Sequence, residues 1–119
     1  MFQNIDFKNI SVQPFYFGDD LSNLYSFLKD SPFIAFYREY LKEKRFKSSS
    51  DIAGIIMIDK RQNNFIGCTL LITHNENGLI VGNISCTYIS DCYRGNSLSS
   101  YLINESKKVL RCCHKPDTS

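Results

Sequence analysis

The chain has 119 residues, 43% of them hydrophobic, with nine Phe, seven Tyr, no Trp and a formal net charge of +2. That length and apolar content build one core and hardly two, and they exclude a disordered chain. The near-balance of charge excludes the concentrated basic face of a nucleic-acid binder, because the densest basic stretch, Lys42 to Lys47, is short, interrupted by an acid, and reads as a solvated helix end.

The opening MFQNIDFKNI carries acids and amides where a secretion signal needs a basic start and an apolar block, and no apolar run is long enough to span a membrane. Five cysteines (Cys68, Cys86, Cys92, Cys112 and Cys113) form an odd set without the spacing of a disulfide framework, which fits a reducing cytoplasm. The Asn-x-Ser triplets at Asn9, Asn83 and Asn104 are then chance. Ile10 to Phe17 reads as a strand, with Pro14 acceptable only at an edge or a bulge. Gly18-Asp19-Asp20 stops it. An Asp cap then precedes Leu21, Leu24, Tyr25 and Leu28, whose spacing makes one apolar helical stripe. Ser31-Pro32 starts a second helix, with serine as cap and proline at the first helical position. Phe33, Phe36, Tyr37, Tyr40 and Leu41 supply its buried face, while Arg38, Glu39 and Lys42 point away.

Ser48 to Asp51 is a polar break, after which Ile52 to Ile58 is β-branched enough for a central strand. Asp59 to Asn64 turns the chain into a second run, Phe65 to Thr73. His74 to Gly78 is the next turn, its Asn-Gly pair favouring positive φ, and Leu79 to Ile89 returns as the third strand of an antiparallel meander. The predicted order is β-α-α-β-β-β-α, an α/β (α+β) chain with a mainly antiparallel sheet.

The segment Thr87 to Leu110, TYISDCYRGNSLSSYLINESKKVL, joins a β-like run to an amphipathic helix through a tight polar loop. A helix starting near Leu98 leaves its first N–H groups without intrahelical partners and points its positive dipole end at the loop, so Gly95 to Ser99 can cradle a phosphate. Ordinary serine capping has the same spacing, and from spacing alone both stand open. Leu98, Tyr101, Leu102, Val109 and Cys112 recur at helical spacing, with Asn104, Lys107, Lys108 and Arg111 largely on other faces.

The run Ile89-Ser-Asp-Cys-Tyr-Arg-Gly-Asn-Ser-Leu-Ser-Ser-Tyr-Leu102 resembles the coenzyme A motif of the GCN5-related N-acetyltransferase (GNAT) superfamily: a hydrophobic strand end, Tyr-Arg-Gly-x-Gly-x-Gly, then a helix. The order of elements resembles the first part of that fold, and the likeness is specific over Ile89 to Leu102. It implies a single GNAT-like domain over residues 1–119, with 110–119 as a tail and without the usual C-terminal strands. It also implies acetyl-coenzyme A as cosubstrate. Arg94 would open the pyrophosphate loop, Gly95 keep it tight, and backbone amides of Gly95, Asn96, Ser97, Leu98 and Ser99 bind the phosphates. Backbone groups near Thr87 and Ile89 would pair with the pantetheine arm as an added strand does. The acetyl carbonyl, polarised by a backbone N–H, would be attacked directly by a primary amine, without a covalent enzyme intermediate.

Where the family prefers Gly or Ala this chain has Ser97 and Ser99, which add bulk beside the phosphates and lower the expected affinity. Where many relatives hold a carboxylate general base, it has Ser85, so a water relay would be needed. No catalytic side chain is assigned: Tyr88 and Tyr101, the nearest substitutes for a tyrosine acid, read as core residues. After Leu110 only nine residues follow, too few for a parallel strand to return, so the third meander strand keeps an open edge. The expectation is a homodimer across that edge, or a chain shortened from a longer ancestor that has lost much of its acceptor site. The alternative function is then a non-catalytic GNAT-derived module that senses coenzyme A or binds a protein partner.

Other constellations are weaker. Cys112-Cys113-His114 lacks a second cluster to complete a zinc site, so no metal is expected. His74 reads as a solvated turn imidazole, and a Cys68/His74 pair has no third orienting group.

Overall fold

The structure is a computed structural model that describes residues 7–42, 51–93 and 97–113. A short 3-10 turn leads into β1 (Ile10–Tyr16), followed by α1 (Ser22–Leu28), α2 (Ile34–Lys42), β2 (Ile52–Asp59), β3 (Asn64–Glu76), β4 (Leu79–Ile89), a second 3-10 turn (Asp91–Tyr93) and α3 (Leu98–Cys113). The β-α-α-β-β-β-α order read from the sequence is therefore the order of the fold. All four strands join one antiparallel sheet in the order β1-β2-β3-β4. Pro14 lies in β1, an edge strand, where its missing N–H breaks no central ladder.

Local chemistry explains the helix starts. Asp20 Oδ1 accepts the Ser22 backbone N–H at 3.0 Å and the Ser22 hydroxyl at 2.7 Å, so the acid read as a cap ties down the first turn of α1. Ser31 Oγ accepts the Phe33 N–H at 2.9 Å just before α2 begins. α1 and α2 cover one face of the sheet. There Leu24, Leu28, Tyr37 and Leu41 pack with Phe15, Ala53, Cys68 and Leu70. On the other face Leu98 and Leu102 of α3 pack with Ile10, Ile55, Met57, Ile66 and Ile89.

Four boundaries or faces differ from the sequence reading. Phe36 is not buried: it is 49% exposed, because α2 enters the core through Tyr37 and Leu41 and Phe36 sits about 100° round the helix from Tyr37. β3 runs past Thr73 to Glu76, pairing His74 with Val81 and Glu76 with Leu79. The turn is thereby cut to Asn77 and Gly78, at φ 54° and 85°, and the backbone of His74 is strand rather than turn. α3 continues to Cys113, so residues 110–113, read as tail, have a helical backbone. Ser106, in none of the predicted core positions, is fully buried. The polar residues 48–50, the basic stretch beyond Lys42, and His114 lie outside the described residues.

β4 is an edge strand of the sheet: no strand lies beyond it among the described residues. Among those residues no helix is long and apolar enough to cross a membrane.

Candidate functional site

The ladder between β3 and β4 slips near its end. Cys68 faces Tyr88 and Leu70 faces Ser85, so Cys86 and Thr87 together oppose the single residue Thr69. This is a β-bulge, and Cys86 takes the left-handed conformation, φ 55°, of a bulge's first residue. Side-chain hydroxyls serve the backbone here. The Tyr37 hydroxyl donates to the Cys86 carbonyl at 2.8 Å, the Thr69 hydroxyl donates to the Ser85 carbonyl at 2.9 Å, and the Thr69 and Thr87 hydroxyl oxygens are 3.0 Å apart.

Beyond the bulge, the end of β4 and the start of α3 bound a cleft of about 310 Å³. Thr87, Tyr88 and Ile89 line one wall, Ser97, Leu98 and Ser99 another, and Pro32, Phe33 and Tyr93 complete it. Five residues chosen from the sequence, Thr87, Ile89, Ser97, Leu98 and Ser99, thus meet in one place. The other three, Arg94, Gly95 and Asn96, lie outside the described residues. Tyr93, Pro32 and Phe33 escaped the sequence reading; Tyr93 sits inside the motif run and was available to it, whereas Pro32 and Phe33 arrive by tertiary packing from the turn that leads into α2.

At the head of α3, Ser97 has φ 58°, and its carbonyl accepts the Tyr101 N–H at 3.2 Å. Ser97 and Ser99 are exposed. Among the described residues neither hydroxyl makes a hydrogen bond, so neither is spent on capping the first turn. Leu98, 2% exposed, anchors this turn in the core.

Tyr93 is fixed through its ring, buried in the α3-side core, and through its hydroxyl, which donates to the buried Asp59 Oδ2 at 3.3 Å. Burial, reinforced by the neighbouring Asp59 carboxylate, raises the Tyr93 phenol above its ordinary range. Burial likewise raises Tyr101, reinforced by Glu105. Deeper in, burial pushes the Cys68 thiol up to about 12, and the Tyr37 phenol also moves up. Tyr88 and Tyr101, expected in the core, are half-buried; Tyr88 lines the cleft, and its ring meets Phe27 edge-on at 5.5 Å. A wider cleft of about 740 Å³, also bordered by Tyr93 and lined by uncharged residues, lies between α1, the β2–β3 turn and Ser90.

No protein-family model matches the chain, and no curated protein matches it with significance. Among solved structures it is similar to the crystal structure of ribosomal-protein-alanine N-acetyltransferase from Brucella melitensis biovar Abortus 2308. The likeness is 18% in identity, with a TM-score of 0.48, over 89% of this chain and 71% of that one. No activity follows from a likeness of that degree.

Taken by its chemistry, the cleft offers backbone groups at a helix start, the edge of a bulged strand, and small hydroxyls. The described lining carries no carboxylate and no imidazole.

Proposed function

We propose that the chain binds acetyl-coenzyme A in the cleft between β4 and α3 and is an N-acetyltransferase acting on a primary amine. The observation that carries this reading is the convergence of Thr87 and Ile89, from the strand edge, with Ser97 to Ser99, from the helix start, on one cleft. The helix start suits a diphosphate, which needs several N–H donors and a positive dipole end. The outer side of β4, an edge strand, suits the amide-bearing pantetheine arm, which pairs with an edge as a peptide strand does. Arg94, next in chain after Tyr93, adds a positive charge to the phosphate end. In the reaction the amine nitrogen attacks the thioester carbonyl, the C–N bond forms, the C–S bond breaks, and the coenzyme leaves as its thiol with the proton the amine gives up. Ser85 brings no carboxylate to this step, so that proton leaves the amine through water. The free thiols Cys68, Cys86 and Cys92 fit a reducing cytoplasm.

Calorimetric titration with acetyl-coenzyme A tests binding, and thiol release with a panel of amines tests turnover. Saturable binding is expected, weakened at least tenfold by Arg94→Glu and by added salt. No binding at millimolar ligand overturns the proposal. Binding without thiol release favours the second reading, a coenzyme-sensing or partner-binding module, for which the absence of a carboxylate or imidazole in the described lining already speaks.

A further inference from the structure

A bulge takes backbone groups out of a strand ladder, and a buried carbonyl left without a donor is costly. At the β4 bulge two carbonyls are served by hydroxyls from elsewhere in the fold. One donor is Tyr37, fully buried on α2 and reaching the Cys86 carbonyl at 2.8 Å. The other is Thr69, 1% exposed on the facing strand and reaching the Ser85 carbonyl at 2.9 Å.

The proton count fixes the direction of the chain. Thr69 has one hydroxyl proton, given to Ser85, so at 3.0 Å it accepts from Thr87, and the order is Thr87 to Thr69 to the Ser85 carbonyl. Tyr37 likewise gives its proton to Cys86, so its 3.4 Å contact with Cys68 Sγ is one in which the thiol donates. Cys68 packs in the core beneath α1 and α2, and Thr69, next to it in the strand, projects to the opposite face. The bulge is therefore gripped from both faces of the sheet. Thr87, its second residue, and Tyr88, which follows it, line the cleft.

We infer that Tyr37 and Thr69 are positioning residues that clamp the β4 bulge and so set the backbone wall of the cleft. The clamp is a feature of the free protein; its service to a thioester ligand rests on the function proposed above. Left-handed φ at Cys86, a residue without glycine's freedom, is held by these two donors rather than by local preference.

The test separates the two claims. Amide hydrogen exchange, followed residue by residue by NMR, reports the clamp without any ligand. Tyr37→Phe and Thr69→Val remove one hydroxyl each at nearly constant shape, and Thr69→Ser keeps the donor. The clamp predicts exchange at residues 85–88 accelerated by about tenfold beyond the change in β1 and β2 for the first two variants, and near wild-type exchange for Thr69→Ser. Acceleration spread evenly over the sheet, or none, overturns it; if one variant fails to fold, the other decides. Calorimetry with acetyl-coenzyme A then reads the service. Affinity falling about fivefold or more in the clamp-deficient variants supports it, and unchanged affinity in variants with a loosened bulge refutes it. A wild-type protein that binds no acetyl-coenzyme A would remove the functional reading, while the exchange data would still decide the clamp.

Discussion

Gly54 stands in β2 between β1 and β3, opposite Phe15 on one side and Leu70 on the other. A Cβ placed there would lie 2.6 Å from Phe15 Cζ and 2.7 Å from Cε1, and would press on the Thr69 carbonyl oxygen as well. Carbon atoms in contact rest about 3.5–4.0 Å apart, so Gly54→Ala demands a shift of about 1 Å from a ring only 4% exposed, or movement of the β3 backbone. Overpacking of this kind costs about 1–3 kcal/mol, and a loosened ladder hydrogen bond adds about 1 kcal/mol. The expected loss is about 2–4 kcal/mol from a total of roughly 5–15 kcal/mol, with a fall in Tm of roughly 10 °C. Urea and thermal unfolding followed by circular dichroism measure it. Gly78→Ala is the control: its φ of 85° disfavours a side chain, but no atom lies within 4 Å, and the left-handed cost alone is about 1 kcal/mol. Because the backbone that Gly54→Ala displaces is Thr69, exchange at the bulge should also quicken. If Gly54→Ala loses no more stability than Gly78→Ala, steric exclusion is not why glycine stands there.

The Ser106 hydroxyl is fully buried and has no hydrogen-bond partner among the described residues, so Ser106→Ala should raise stability by about 1 kcal/mol in urea unfolding; a loss would mean the hydroxyl has a partner after all. Burial raises the Cys68 thiol from 9 to about 12 and the Tyr37 phenol above 10, so the folded state keeps protons that the unfolded chain releases. Stability is then full below pH 9 and drops as pH rises from 9 toward 12, by about 1.4 kcal/mol per pH unit for each such proton. Urea midpoints that stay constant between about pH 8 and about pH 10.5 would contradict this. A homodimer across the open side of β4 would compete with the pantetheine arm for the same backbone groups, so acetyl-coenzyme A should shift sedimentation toward monomer; a dimer indifferent to ligand must use another surface.

The meander was legible because its signals are local. Leu79–Ile89 has the predicted bounds, whereas the helix starts shift: Asp20 holds Ser22 from outside an N-cap position occupied by Leu21, which makes no side-chain cap bond, and α2 begins at Ile34, not at Pro32. β3 outran its prediction because His-Asn-Glu carries no strand preference, yet a two-residue Asn-Gly turn forces those residues into register with β4. Of the cleft, the sequence motif supplied the strand end and helix start. It could not supply Pro32 and Phe33, which reach the cleft only through the packing of α2, nor the bulge, since cysteine at Cys86 gives no sign of a left-handed backbone. Asp59 read as the first residue of a turn. It ends β2 instead, buried, accepting the Arg61 N–H at 3.0 Å as well as the Tyr93 hydroxyl.

Tyr93 borders both clefts, and its hydroxyl is tethered to the end of β2. Held at both its ring and its hydroxyl, that wall keeps neighbouring chambers separate: filling one leaves the dimensions of the other unchanged.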